Sequence, residues 1–180
     1  MSKVITPRAR LSYPHLFEPQ TPPGSSTPVY SCALVFEPGS DLSALRAAAE
    51  EAGKEHWGAK WAEMVKTGKA RLPFREDGGD KGYEPGSVFL NVKSQQRPGI
   101  VSIYAGPDGR PQPIENPADV YAGCYVRASL RAFPYDKNGN KGVSFALGNL
   151  QKVGDGSRLD GRARAQDEFE AEAGESLDDL

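Results

Sequence analysis

Residues 123–134 alternate Cys124, Val126, Ala128, Leu130 and Ala132 with Tyr125, Arg127, Ser129, Arg131 and Phe133. In an extended chain successive side chains point to opposite faces, so one face is small and apolar while the other carries two rings and two guanidiniums. Rings offer unpaired bases a stacking surface at roughly 1 to 3 kcal/mol per base, and guanidiniums neutralise phosphates with an affinity that falls steeply with salt. The pattern therefore suits a single-stranded nucleic acid. It also suits a solvated sheet face, where cross-strand packing favours Tyr and Arg. Arg8, Arg10, Phe89, Lys93 and Arg97 extend the track if their strands are neighbours in a curled sheet, and Tyr135, Lys137 and Lys141 add an aromatic, cationic arm tip.

The charge of the chain is unevenly placed. Seven of the 24 acids (Asp167, Glu168, Glu170, Glu172, Glu175, Asp178, Asp179) fall in the last sixteen residues, which hold no Lys or Arg. Residues 1–164 thus set 22 cations against 17 acids, about +5, although the whole chain is −2. An acidic segment this poor in apolar groups is expected to stay disordered and to act as a tethered polyanion, competing for a cationic groove or engaging a partner. The division expected is one domain over residues 1–156 and a linker with acidic tail over residues 157–180.

Elements that position these residues follow from periodicity. Alternation predicts a strand over residues 3–13, with Ile5, Ala9, Leu11 and Tyr13 on one parity and Arg8 and Arg10 on the other. Prolines mark residues 14–28 as a loop, and a strand resumes over residues 29–36. Leu42, Leu45, Ala49, Ala52, Trp57, Trp61, Met64 and Val65 place an apolar stripe on a helix over residues 42–66, weakened at Gly53 and Gly58 and capped by Ser40 or Asp41. The two tryptophans read as core. Residues 67–86 read as a long loop, 87–94 and 100–104 as strands, and 106–119 as another extended loop. Asn138-Gly139 reads as a hairpin turn joining residues 123–134 to residues 143–153. The fold class expected is mainly β with one or two helices.

Other chemistries find little purchase. Asp77 and Asp80, with Glu84, suggest a metal-dependent nuclease, yet a calcium loop begun at Asp77 would need an acid where Val88 stands. His15 and His56 are the only imidazoles and have no nucleophile partner at a telling spacing. No phosphate-binding glycine loop occurs. No catalytic set, metal or cofactor is expected. Cys32 and Cys124 read as reduced thiols in strands. No apolar run approaches membrane-spanning length and the N-terminus lacks a signal-peptide core, so an intracellular, soluble protein is expected. A β-rich structural or assembly protein remains the alternative from another class.

Several motifs together resemble one family. They are Arg10-Leu11-Ser12-Tyr13, the Pro73-Phe74-Arg75-Glu76-Asp77-Gly78 loop, Phe89-Leu90-Asn91-Val92-Lys93-Ser94 followed by Arg97-Pro98-Gly99, Tyr121-Ala122-Gly123-Cys124-Tyr125-Val126-Arg127, and Asn140-Lys141-Gly142-Val143-Ser144-Phe145-Ala146-Leu147. The chain is similar to bacteriophage single-stranded DNA-binding proteins over about residues 3–153. The resemblance implies an OB-fold-like five-stranded barrel with an inserted helix and long loops, binding single-stranded DNA in replication and recombination in the cytoplasm of an infected bacterium. It also implies that the acidic tail meets replication or recombination proteins and shields the groove; dimerisation is left open. Two features depart from the pattern. The chain ends on Leu177-Asp178-Asp179-Leu180 rather than on an aromatic residue, and the helix falls between the second and third strands, where an OB-fold ordinarily has it after the third.

Overall fold

The computed structural model describes residues 3–159, so the tail acids from Asp167 to Asp179 lie outside the described residues. The strand expected over residues 3–13 is two strands, β1 (Lys3–Ile5) and β2 (Ala9–Gln20). Between them Thr6 turns inward. Its N–H donates to the Ala128 carbonyl at 2.9 Å and its Oγ1 accepts from the Ala128 N–H at 3.0 Å. That inversion leaves Ile5 exposed, against its expected inward parity.

β2 also runs on through Pro14 and Pro19, positions expected as loop, so that only residues 21–28 remain irregular. The prolines are tolerated because β2 meets β3 (Val29–Phe36) through register shifts between Ser12 and His15 and between His15 and Gln20. A residue left unpaired at a bulge loses no ladder bond when its N–H is missing.

The expected long helix is broken in two, α1 (Ser43–Trp57) and α2 (Lys60–Lys66), at Gly58 with φ +62°. Asp41, not Ser40, meets the helix start, its Oδ1 accepting from the Ser43 N–H at 3.1 Å. The break lets Trp61 fold back on α1. Its indole fills the space a Cβ at Gly53 would need, its Nε1 donates to Glu50 Oε2 at 3.1 Å, and Trp57 stacks on it at 5.4 Å. Trp61 is fully buried and Trp57 partly so, which places both on the core side of the stripe.

Residues 67–86 contain β4 (Ala70–Arg71) and a 3₁₀ turn at Gly79–Lys81. β5 (Val88–Ser94), β6 (Ile100–Ala105) and β7 (Pro111–Pro113) follow, the last within a stretch expected as loop, as is a 3₁₀ turn at Pro117–Asp119. β8 (Tyr125–Lys137) and β9 (Asn140–Gly154) form the long hairpin. Asn138 and Gly139 turn it with φ of +54° and +82°, the positive values a two-residue hairpin turn demands.

The strands form one sheet in the order β1-β8-β2-β3-β5-β9-β6-β7, with β4 on β9 and a further β8–β9 pairing. That pairing closes a five-stranded ring, β8-β2-β3-β5-β9. All its pairings are antiparallel except β5 with β9. The ring is not a clean barrel, since β5 meets β9 at one registered pair and β2 meets β8 at two. Leu11, Leu34, Leu90, Val92, Val126, Leu130, Phe145 and Leu150 fill it, and Leu45, Ala49 and Ala52 of α1 join the same core. The helices lie between the second and third ring strands, as the sequence places them.

Cys32 and Cys124 are buried free thiols. Burial, with a smaller contribution from Cys124, pushes the Cys32 thiol up to about 12. Among the described residues no helix is long and apolar enough to cross a membrane.

Candidate nucleic-acid interface

Registered pairs carry side chains to the same face of neighbouring strands, so rows across the ring can be followed residue by residue. One row runs His15, Ser31, Lys93, Ala146, Arg131, Lys3 through β2, β3, β5, β9, β8 and β1. All six lie on the outer face, and Lys3, Lys93 and Arg131 are exposed. None of these three cations forms an ion pair among the described residues. The strands thus place three uncompensated charges on one line.

A second row runs Tyr125, Arg10, Val35, Phe89, Arg75. Tyr125 leads round one side of the ring to Phe89 on β5, whereas Arg131 leads round the other side to Lys93. The ring is therefore staggered, as tilted strands require. Tyr125, Arg127, Arg131 and Phe133, expected as one platform, are split by this stagger. Arg127 lies opposite Gln151, whose other neighbour is Val101 of β6, so it joins the row toward the β6–β7 extension rather than the one through Lys93.

Residues 72–87 cover the middle of the second row. Tyr83 packs edge-on against Phe89 at 5.3 Å and its hydroxyl donates to Ser12 Oγ at 2.8 Å. Burial raises the Tyr83 phenol above its ordinary range. Phe89, expected as a stacking ring, is 1% exposed and belongs to a small core with Val35 and Tyr83. A ring so covered has no face left for a base. Arg75 and Lys81 also lie over it, 5.3 and 6.0 Å from its centroid.

The Tyr125 pole is already occupied. Arg8 and Arg10 lie 4.4 and 5.7 Å from its ring centroid, and its hydroxyl contacts Glu37 Oε1 at 3.3 Å. Arg10 also donates to the carbonyl and hydroxyl of Ser157, and Leu159 N–H donates to the Ala122 carbonyl at 2.9 Å. Gly123, at φ +113°, lies against the Ser157 backbone so closely that a side chain there would collide with it. Arg10 and Tyr125 come together as the sequence suggests, and they hold the segment that leads to the tail.

Three clefts run along the outer face. The central one, about 500 Å³, is lined by Tyr13, His15, Ser31, Lys81, Asn91, Lys93 and Ser144 among others. Through Asn91 and Ser144 it meets a cleft of about 360 Å³ between Arg71, Pro73, Arg75 and Tyr135. Through Tyr13 and Lys81 it meets one of about 600 Å³ walled by Pro14, Pro117, Val120, Tyr121 and Leu159. The three clefts adjoin through these shared residues, and their linings are cationic and edged with tyrosines. Phe133, half-buried opposite Ser144, flanks it, and Lys137 stands at the exposed hairpin tip. Arg97 lies 5.4 Å from the Phe17 ring on the turn after β5.

Sequence reasoning missed Tyr13, Lys81, Asn91, Ser144, Arg71, Arg75 and Lys3 at this face. For Tyr13 a signal existed: Leu11 and Leu16, both large and apolar, stand at an odd and an even position, so a strand that buries both must slip between them, as it does. The suggested metal site gathers little. Asp77 is engaged by Arg75 at 2.8 Å, and among the described residues no three His, Cys, Asp or Glu side chains cluster as metal ligands would.

A family model described as Enterobacter phage Enc34, ssDNA-binding protein, matches residues 2–180. Putative protein p50 of Acyrthosiphon pisum secondary endosymbiont phage 1 is 31% identical over 170 residues, 88% of this chain and 87% of its own length. A solved structure of the single-stranded DNA-binding protein from bacteriophage Enc34 in complex with ssDNA matches with a TM-score of 0.63 at 21% identity, covering 87% of this chain and 88% of that one. The single-stranded DNA binding protein gp2.5 of bacteriophage T7 matches with a TM-score of 0.61 at 15% identity over 96% of this chain and 99% of its own. The fold is therefore that of phage OB-like binding proteins, and the family is one of binding proteins rather than enzymes.

Proposed function

We propose, for a chain that belongs to the family of the Enterobacter phage Enc34 ssDNA-binding protein, that its outer ring face binds single-stranded DNA without sequence preference. The observation that carries this reading is the line of Lys93, Arg131 and Lys3, free of ion pairs among the described residues, with Lys93 on a run of adjoining clefts edged by Tyr13 and Tyr135 and the other two on a smaller cleft beside Ala146. The cations take phosphates and the rings take bases; stacking accepts any base because every base has a π-face. Asn91 and Ser144 supply polar groups between them. Of the sequence-derived residues, Lys93, Arg131, Phe133 and Tyr135 belong to this track. Arg97 and Lys137 extend its rim, and Arg8 stands by Tyr125.

The proposal extends to a phage replication or recombination role, with the acidic tail as partner hook and groove competitor. Support for competition comes from where the described chain leaves off: Arg158 and Leu159 line the cleft that opens at Tyr13. A polyanion beginning at Asp167, eight residues along the chain from Leu159, has an effective concentration in the millimolar range for a short flexible linker.

Titration with oligo(dT), followed by intrinsic fluorescence and gel shift at several salt concentrations, tests the reading. Binding should be sequence-tolerant and should weaken with salt by a slope of about −0.7 per phosphate neutralised. Absence of binding at low salt by protein ending at residue 164 sinks it.

A further inference from the structure

Tyr13 occupies a backbone state that a bulky side chain rarely adopts. Its φ is +45°, one of two positive values among the described non-glycine residues, and it sits where the β2 register slips between Ser12 and His15. Such strain persists only where the surroundings enforce it, and it concentrates at binding sites. Burial of the ring does not offset the strain here, because Tyr13 is 57% exposed. The kink instead turns the ring outward, where the ammonium of Lys81 lies 6.0 Å from its centroid. Lys81 is held there by its loop, since Tyr83, two residues on, bonds to Ser12 beside Tyr13.

The same two residues, Tyr13 and Lys81, are the ones common to the central cleft and the one walled by Pro14, Pro117, Val120 and Tyr121. An exposed ring at the junction of two clefts, the farther one lined by Pro14, Pro117 and Val120 as well as by Lys81 and Arg158, suits a base stacked on the ring with its phosphates on the cations. Resting on the reading of the outer face as a single-strand groove, we infer that Tyr13 is a nucleobase-stacking residue at which the strand leaves the β2–β3–β5 face and enters the Pro117–Tyr121 cleft. The binding track is then longer than the ring face alone.

The test uses the full chain and dT oligonucleotides of roughly 4 to 20 nucleotides, spanning known single-fold site sizes. Tyr13→Gly removes the ring and relieves the positive φ, so it should fold with an unaltered or raised Tm. It should weaken binding about 5- to 150-fold for oligonucleotides long enough to fill the track, with little effect on the shortest and no change of salt slope. Tyr13→Phe should restore wild-type affinity. A Tyr13→Gly protein that binds every length as the wild type does overturns the assignment. A loss equal at every length places the ring within the face's own site and overturns the extension. If the wild type binds no oligonucleotide, the function itself has been misread, and the inference goes with it.

Discussion

Neutralising Lys93 and Arg131 together should change the salt dependence of binding by an amount that the fold fixes in advance. The two lie on one row with only Ala146 of β9 between them, two strand spacings of about 4.8 Å apart, so their backbones are separated by roughly 10 Å. That is far more than the roughly 3.4 Å per nucleotide of a stacked strand, so each meets its own phosphate and the two effects add. Taking away one phosphate partner lowers the slope of log K against log salt by about 0.7, and taking away both lowers it by about 1.4. Between 50 and 200 mM salt, a fourfold change, wild-type protein should therefore lose about sevenfold more affinity than Lys93→Ala/Arg131→Ala protein. Both side chains are exposed, so the variant should fold normally. Fluorescence titration with oligo(dT) at five or so salt concentrations reads the slope, with Lys54→Ala/Lys60→Ala on the helices as a charge-matched control. A double variant with the wild-type slope would refute the assignment of this row to phosphates, whatever its affinity at one salt.

Phe89→Ala should destabilise the fold by about 3 to 5 kcal/mol in chemical denaturation, because it empties a site under Tyr83 and Val35; a change below about 1 kcal/mol would mean the ring is not core. Cys32 and Cys124 should resist a thiol reagent near pH 8 in the folded protein and react on denaturation, since burial keeps both protonated. The unfolded thiol ionises near 8.5 and folded Cys32 only near 12, so the unfolded state sheds protons first and stability should fall as pH rises through that window. Ending the chain after residue 164 should tighten oligo(dT) binding most at low salt, whereas ending it after residue 156 should lower Tm. Only the second cut removes Ser157 from Arg10 and Leu159 from Ala122. Equal Tm for the two proteins would show that the anchored segment contributes nothing to the fold.

The hairpin of β8 and β9 was legible because its alternation is long and its turn carries Asn-Gly, two signals set by neighbours in sequence. The inward set Cys124, Val126, Ala128, Leu130 and Ala132 is buried throughout. What resisted reading was decided by contacts remote in sequence. Pro14 and Pro19 signal a loop locally, and only the slipped pairing of β2 with β3 makes a strand of them. Phe89 alternates with core residues on β5 and so looked outward-facing, which it is. Its burial comes from a loop folding back across it, and nothing in its own strand foretells that. The helix break at Gly58 was half visible, since a glycine weakens the middle of any helix. That Trp61 would use the break to pack against Gly53 depends on the tertiary fold.

The stagger of the ring explains why one alternating strand serves two ends. Around one side, Tyr125 reaches Arg10 and, through it, the segment ending at Leu159; around the other, Arg131 reaches Lys93 and the open cleft. Aromatic and cationic residues that look equivalent along β8 are thus separated into an anchor and the proposed binding line. In the proposed competition the anchor matters to the line because it fixes Ser157 and Leu159, eight residues or more before the acidic run opens at Asp167. Leu159 lies on the wall of the cleft that opens at Tyr13, which continues into the cleft holding Lys93. The effective concentration of a tethered polyanion falls as the span from its anchor to the groove outgrows its linker, so an anchor on the groove's own wall favours competition. The anchoring pole at Tyr125 and Arg10 is therefore part of the proposed regulation. Loosening it by Arg10→Ala should weaken the tail's competition while leaving the salt slope of tailless protein unchanged.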